Sequence, residues 1–294
     1  MPEKKALFLY SEATGQGQVN RHLDYVISSL KESFPILDVK KTSSMEEGME
    51  LARASCGVYD ALIFSGGDGT FNHIINALAG RKDIPTLGYL NGGTIGDVGA
   101  NFGISKNLKK SLRIIKNGYT SGFDLGKIGD SYFIYVAAVG AFADIPYVTH
   151  RSSKKFMGRI AYYFRAARDA FLYKAIPVHV EANGQIYDQK VPFVLCLNGR
   201  NVGGFHVNSR SSGIHDGKFE LYLTKPGLFN GLLHYLLFKT RTTKIVASSF
   251  DIQIDYPMPW DIDGEKAMTG SVHIDVVESN MRVFCAEKYA EPRQ

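Results

Sequence analysis

The stretch Ala61-Leu62-Ile63-Phe64-Ser65-Gly66-Gly67-Asp68-Gly69-Thr70, with Phe71, Ile74, Ile75 and Leu78 behind it, decides the fold. Four apolar residues in a row, bounded by turn residues, read as a buried strand. Glycines end it, and the apolar positions that follow recur at helical spacing. A strand that passes through a glycine turn straight into a helix is the unit of a parallel α/β sheet. The flanking sequence repeats the pattern. Ala6–Tyr10 is apolar and ends at Thr14-Gly15-Gln16-Gly17, after which Val19, His22, Leu23, Val26, Ile27 and Leu30 take helical spacing. Ile36–Thr42 reads as a second strand, and Ser43 or Ser44 caps a helix carrying Met45, Met49, Leu51 and Ala52. Thr86–Leu90 is a fourth strand, leading into Asn91-Gly92-Gly93-Thr94-Ile95-Gly96-Asp97. This order predicts a doubly wound parallel α/β domain.

Beyond about Gly122 short alternating runs take over: Phe123–Ile128, Tyr132–Val139, Pro177–Ala182, Val191–Asn198, Lys218–Leu223, Phe250–Tyr256 and Ser271–Val277. Turn dipeptides such as Asn183-Gly184 and Asp216-Gly217 separate them, as in an antiparallel β-sandwich. Helical segments are expected at Gly158–Tyr173 and Leu228–Lys239. The expected domains are therefore 1–122, α/β, and 123–283, β-sandwich, with a tail from about 284 returning to the first.

A length of 294 residues accommodates two such domains, and a net charge of +5 excludes both a polybasic tail protein and a disordered acidic chain. Three scattered cysteines, Cys56, Cys196 and Cys285, argue against disulfide scaffolding and for a reducing compartment. With no signal-like start and no apolar run of spanning length, the expected location is the cytoplasm.

Three glycine-rich turns, at Gly15–Gly17, Gly66–Gly69 and Gly92–Gly96, all leave the carboxyl ends of strands, where doubly wound sheets bind ligands. Consecutive glycines let backbone N–H groups approach phosphates closely, and a helix N-terminus behind them favours anions. Asp68 is a poor phosphate neighbour alone, which implies a divalent cation between them. A plain glycine turn with Asp68 capping a helix is the competing reading of the same residues. Neither the phosphate-loop pattern GxxxxGK[ST] nor the dinucleotide GxGxxG is present.

SGGDGT at 65–70, the GGTxxD loop at 92–97, FDLGKI at 123–128, Gly203-Gly204 with Asp216-Gly217, and DGE at 263–265 occur in this order. Together they resemble the diacylglycerol kinase catalytic-domain family, which includes bacterial lipid kinases and sphingosine kinases. The resemblance covers nearly the whole chain. It implies an ATP- and Mg2+-dependent transfer of a phosphoryl group to a lipid hydroxyl, most often that of diacylglycerol. By position, Ser11, Gly15, Gly17, Thr42, Gly66, Gly67, Asp68, Gly69, Thr70, Asn72, Gly93 and Thr94 would contact ATP. Asp68, Asp97 and Asp124 would organise Mg2+, while Gly213, Asp216 and Lys218 match a loop that holds a structural cation in some members.

Asp263 and Glu265 match the family carboxylates, one of which is the general base, with Asp263 ranked first. An extended strand through Asp261, Asp263 and Glu265 would put all three on one face and raise one another's proton affinity. A solvated acidic turn at Asp263-Gly264 is the bland alternative. The chain departs from the family in Tyr10-Ser11, where Asn-Pro is usual, in Asn91, where Pro is usual, and in Gly96, where Asn is usual. NAD kinases share GGDGT, yet their Asn-Glu dipeptide is absent because His73 follows Asn72. A non-catalytic nucleotide- or lipid-binding member is the other alternative.

The segment Arg151–Lys174 carries seven basic residues against the single acid Asp169, a net of +6, so the rest of the chain sums to −1. Ile160, Tyr163, Phe164, Ala167 and Phe171 share a helical face there. A basic aromatic helix of this kind can lie on anionic lipid, and packing against the sandwich is its alternative. The partners expected are a lipid substrate and, transiently, an anionic inner membrane face. No nucleic-acid module is present, and the resemblance leaves room for a homodimer.

Overall fold

Buried strands and the turns between them organise the computed structural model, which describes residues 3–11, 18–93, 96–140, 175–199, 201–202, 205–206, 214–226 and 242–291. In chain order the elements are β1 (Lys5–Tyr10), α1 (Gln18–Arg21), α2 (Leu23–Lys31), β2 (Ile36–Lys41), α3 (Met45–Ala54), β3 (Ala61–Gly66), α4 (Asp68–Leu78), β4 (Thr86–Asn91), α5 (Asp97–Asn101) and α6 (Leu108–Asn117). There follow β5 (Thr120–Ile128), β6 (Ser131–Phe133), β7 (Val136–Gly140), β8 (Ile176–Ala182), β9 (Gln185–Val191), β10 (Phe193–Leu197), β11 (Asn201–Val202), β12 (Phe205–His206) and β13 (Phe219–Thr224). The last are β14 (Thr242–Ala247), β15 (Ser249–Ile254), β16 (Pro259–Ile262), β17 (Glu265–Thr269) and β18 (Val272–Phe284). The expected helices at Gly158–Tyr173 and Leu228–Lys239, and the basic segment Arg151–Lys174, lie outside the described residues.

The chain forms two units. One holds Met1–Asp124, Arg200–His206 and Glu278–Gln294; the other holds Leu125–Gly199 and Val207–Val277. The chain passes from one to the other inside β5 and inside β18.

In the first unit the strand order is β2-β1-β3-β4, with β18 beside β4, and every pair is parallel. This is a doubly wound order, with its switch point between β1 and β3. One face of the sheet packs Phe8, Ile63 and Leu90 against Val26, Leu30, Leu112 and Ile115 of the helices. Phe64, Phe71, Tyr89, Phe102 and Phe123 form an aromatic cluster, with ring centroids 5.0–6.4 Å apart in six of the pairs. Burying each such ring contributes about 1.5–3 kcal/mol, so this cluster anchors the strand ends that carry the glycine turns.

Helix starts follow local capping chemistry. The Ser44 side chain accepts from Glu47 N, and the Glu47 carboxylate accepts from Ser43 N and Oγ. Helix α6 was not anticipated, although Asn107 caps it by accepting from Lys110 N and Gly118, at φ 72°, closes it. The C-terminal tail returns to this unit: Cys285 N donates to Tyr119 O, Ala286 N to Phe102 O, and Glu291 accepts from Gly122 N at 2.6 Å.

In the second unit a six-stranded antiparallel sheet runs β14-β13-β10-β7-β16-β17. Strands β9, β8 and β15, with the first half of β18, make a second antiparallel layer. The inward residues of both layers, among them Val178, Val180, Phe250, Ile274, Val139, Cys196, Leu221 and Trp260, share one core, which makes this a sandwich. Asn183 and Gly184, at φ 53° and 70°, form the two-residue turn of the β8–β9 hairpin.

Two expectations fail here for a common reason. The run Tyr132–Val139 is not one strand: it breaks at Ile134 and Tyr135, between β6 and β7. Nor do Asp261, Asp263 and Glu265 lie along one strand. Asp263 and Gly264, at φ 52° and 91°, form a two-residue hairpin turn that sets Ile262 opposite Glu265. The carboxylate at that turn binds the backbone at the break.

Candidate active site

The first unit presents its candidate site at the carboxyl ends of β3 and β4. Strand β3 ends at Gly66, Gly67 begins α4 in an extended conformation (φ −95°, ψ −174°), and Asp68, Gly69 and Thr70 form the half-buried first turn of the helix. Gly67 has no side chain with which to cap, so the first N–H groups of α4 are left for another acceptor.

Two glycines here are sterically required. A Cβ on Gly66 would lie 2.4 Å from the Thr70 side chain, and one on Gly93 would lie 2.9 Å from Gly67 Cα. The two glycine turns therefore touch, and Gly92 N donates to Gly66 O at 2.8 Å. A cleft beside them has Ser65, Gly66, Asn91, Gly92, Gly93 and Lys106 as its polar wall, with Val19, Leu90 and Leu108 on the apolar side.

Asp68 does not face this cleft as a bare carboxylate. Its Oδ2 accepts from Gly96 N at 2.9 Å and Asp97 N at 3.2 Å, and its Oδ1 from Val98 N at 3.2 Å. It thus caps α5, a neighbouring helix rather than its own. Burial pushes its carboxyl above the ordinary value, opposed by those N–H bonds and by the charge of Lys106. Burial and the nearby Asp68 together hold the Tyr89 hydroxyl protonated, and it donates to Gly66 O at 3.1 Å.

Asp97 opens α5 and Asp124 lies in β5; both are buried. Among the described residues no three His, Cys, Asp or Glu side chains gather as a metal centre. Three amide donors leave Asp68 one lone pair for the cation role expected of it. The residues expected to contact ATP divide accordingly. Gly66 and Gly93 line the cleft, with Gly67 beside them. Thr42 turns its hydroxyl to Tyr10 O at 3.3 Å, and the Ser11 carbonyl accepts from Asn20 Nδ2 at 3.3 Å. Asn72 is buried and its Oδ1 accepts from Asn76 Nδ2 at 3.0 Å, so its side chain braces α4 internally. Gly15, Gly17 and Thr94 lie outside the described residues. Ser65 and Asn91, inside the quoted glycine loops, and Lys106 carry no role in the sequence reading: a polar residue near a glycine turn has no pattern of its own until the fold brings it to the cleft.

In the second unit the DGE carboxylates have different surroundings. Asp263 is 2% exposed, and its Oδ2 accepts from Ile134 N at 2.6 Å. Its Oδ1 accepts from Tyr135 N at 3.1 Å and Val136 N at 3.0 Å. Three N–H donors occupy three of the four lone pairs of its carboxylate. Glu265, the first residue of β17, is half-buried. Asp261 accepts from Gly264 N at 2.9 Å and shares one face of the six-stranded sheet with Ala138, Leu195 and Tyr222. Asp216 is exposed and accepts from Lys218 N at 3.1 Å, an Asx turn, while Gly213 lies outside the described residues.

Residues 5–128 match the model of the diacylglycerol kinase catalytic domain. The chain is 27% identical to a diacylglycerol kinase of Staphylococcus carnosus (strain TM300) over 271 residues, covering 89% of each. It is 27% identical to a diacylglycerol kinase of Bacillus subtilis (strain 168) over 224 residues, 76% of this chain and 74% of that one. A solved structure of a diacylglycerol kinase from Bacillus anthracis str. Sterne superposes with a TM-score of 0.82 at 19% identity, covering 99% of this chain and all of that one, which shows a shared fold. Among the described residues no helix is long and apolar enough to cross a membrane.

Proposed function

We propose, on the premise that residues 5–128 belong to the diacylglycerol kinase catalytic-domain family and the chain is a lipid kinase, that it transfers the γ-phosphoryl group of ATP to the hydroxyl of a lipid, diacylglycerol first among them. The observation that carries this reading is the contact of the two glycine turns, Gly66–Gly67 against Gly92–Gly93, beside an uncapped helix start and the Lys106 ammonium. Such a cradle of N–H groups suits the phosphate chain of a nucleotide. Magnesium, as counter-ion of the triphosphate, would neutralise the charge that develops on the transferred group. Asp68, Asp97 and Asp124 remain the proposed carboxylates for it, Asp68 bracing α5 as well. Asp216 with Lys218 and Gly213 remains the proposed structural cation loop. Domain roles follow the units, nucleotide in the first and lipid in the second.

For the base, the hydrogen bonds favour Glu265 over Asp263. Asp263 holds the Ile134–Val136 backbone and fixes the hairpin turn; Glu265, at the next strand position, takes the proton of the attacking lipid hydroxyl. That hydroxyl oxygen then bonds to the γ-phosphorus as the bond to the β–γ bridging oxygen breaks, releasing ADP. The half-buried Ala138 and Leu195 beside Asp261 give one face of the sheet an apolar strip suited to a lipid, and Glu265, opposite Ile262, belongs to the other face. The basic aromatic segment Arg151–Lys174 supports transient contact with an anionic membrane.

The test is transfer of labelled phosphate from ATP across a panel of diacylglycerol, sphingosine and NAD. Phosphatidic acid formation supports the reading; label on NAD and no lipid overturns it. Glu265→Gln is expected to lower kcat by about 10²–10⁴.

A further inference from the structure

We propose that Asn91 is a nucleotide-binding residue, its carboxamide offering Nδ2 to an oxygen of the phosphate chain held at the glycine turns. Resting on the kinase reading above, this adds a contact at a position where the family pattern has none to offer. Three observations carry it. First, Asn91 is the last residue of β4, 7% exposed, and lines the cleft beside Gly92 and Gly93.

Second, its orientation is fixed: Oδ1 accepts from Gly93 N at 3.1 Å and faces the Tyr89 hydroxyl at 3.4 Å, and a flipped amide would set NH2 against the Gly93 N–H. Third, Nδ2 is buried, and among the described residues it has no hydrogen-bond partner. A buried donor left unmade is costly, and each one in a native structure calls for an explanation such as strain, a bound water or ion, or a functional role. A phosphate oxygen is the acceptor that the surroundings select, because the same wall supplies glycine N–H groups and Lys106.

Gly96 completes the argument. A Cβ there would lie 2.6 Å from Asn91 Nδ2, and a Cβ on Gly99 would lie 2.5 Å from it. The amide of Asn91 thus occupies the notch that a side chain at 96 would fill. The two departures from the family pattern, Asn91 and Gly96, are one change: the carboxamide has moved from the start of α5 to the end of β4, and the glycine makes room for it.

The test is ATP binding by the full chain, read as the nucleotide-dependent rise in melting temperature and as KM for ATP apart from kcat. Asn91→Asp keeps the acceptor for Gly93 N but sets an oxygen where the donor stood; Asn91→Ala removes both. The expected result is that Asn91→Asp weakens ATP binding roughly 10- to 100-fold, and more than Asn91→Ala does. If Asn91 only pins the loop, the order reverses and the aspartate variant binds like wild type, which overturns the proposal. Unchanged KM in both variants overturns it equally. Failure of the kinase reading is distinguishable, because wild-type protein would then show neither an ATP-dependent shift nor phosphate transfer.

Discussion

Replacing Asp263 separates a strut from a base. In Asp263→Ala, the N–H groups of Ile134, Tyr135 and Val136 lose their acceptor inside the sandwich. At about 1–2 kcal/mol for each buried donor left unmade, the loss is roughly 3–6 kcal/mol. Alanine at φ 52° adds about 1 kcal/mol of backbone cost, since a Cβ there crowds the following carbonyl. Asp263→Asn retains one oxygen for Tyr135 and Val136 and tolerates the left-handed turn, so only the Ile134 donor is orphaned, at about 1–3 kcal/mol. The assay is urea unfolding followed by the fluorescence of Trp260, the only tryptophan of the chain, which is fully buried in β16 beside the turn. The expected order of stability is wild type, then Asn, then Ala, with Glu265→Gln unfolding like wild type. If Asp263→Ala unfolds within about 0.5 kcal/mol of wild type while phosphate transfer is abolished, Asp263 is the base and this reasoning is refuted.

Other outcomes follow from the same geometry. Gly93→Ala, whose Cβ would press on Gly67 Cα, is expected to part the two glycine turns and raise KM for ATP about tenfold or more, checked by steady-state kinetics. Asp68→Ala frees the start of α5 and should destabilise the first unit by about 2–4 kcal/mol, seen as faster amide exchange at Gly96, Asp97 and Val98. His273 lies between Asp251, at 2.6 Å, and Asp275, at 2.9 Å; the Asp251 bond above all raises its proton affinity above the ordinary 6.5. A raised folded-state value contributes stability that is complete below about pH 6.5 and is lost as pH rises through the folded value. His273→Gln should therefore cost more at pH 6 than at pH 8.5 in the same urea assay. Equal costs at both pH values would show that the two carboxylates do not bind the imidazolium.

The first unit is legible in the sequence because β1, β3 and β4 are buried on both faces and read as apolar runs leading into glycine turns, while the exposed edge strand β2 follows from its place between two helices. Helix α6 was there to be read in Leu108, Leu112 and Ile115, with Asn107 before and Gly118 after, but charged residues between them hid the period. The Asp263-Gly264 dipeptide is the same turn signal as Asn183-Gly184. Three alternating acids at 261, 263 and 265 mimic a strand face and mask that signal. The role of Asp68 was beyond reach of sequence: a carboxylate after a glycine turn can face a phosphate or a neighbouring helix, and only the position of α5 decides. Asn91 is the converse case. Its departure from the family pattern was visible, and its meaning depended on Gly96 lying within contact of its amide.

The return of the chain to its first unit has a consequence for how the protein is born. The sheet of that unit takes its fifth strand from residues 278–284, and the Glu291 carboxylate ties Gly122 and Arg282 together. A ribosome delivers these residues only after nearly all of Leu125–Val277 has emerged. The sandwich can close while synthesis continues, but the half made first must wait, its β4 edge unpaired, until residues 278–284 arrive. A late nonsense codon or a clipped tail would then act at a distance. It would leave the sandwich intact and unravel the first unit, whose sheet is complete only once residues 278–284 have joined it.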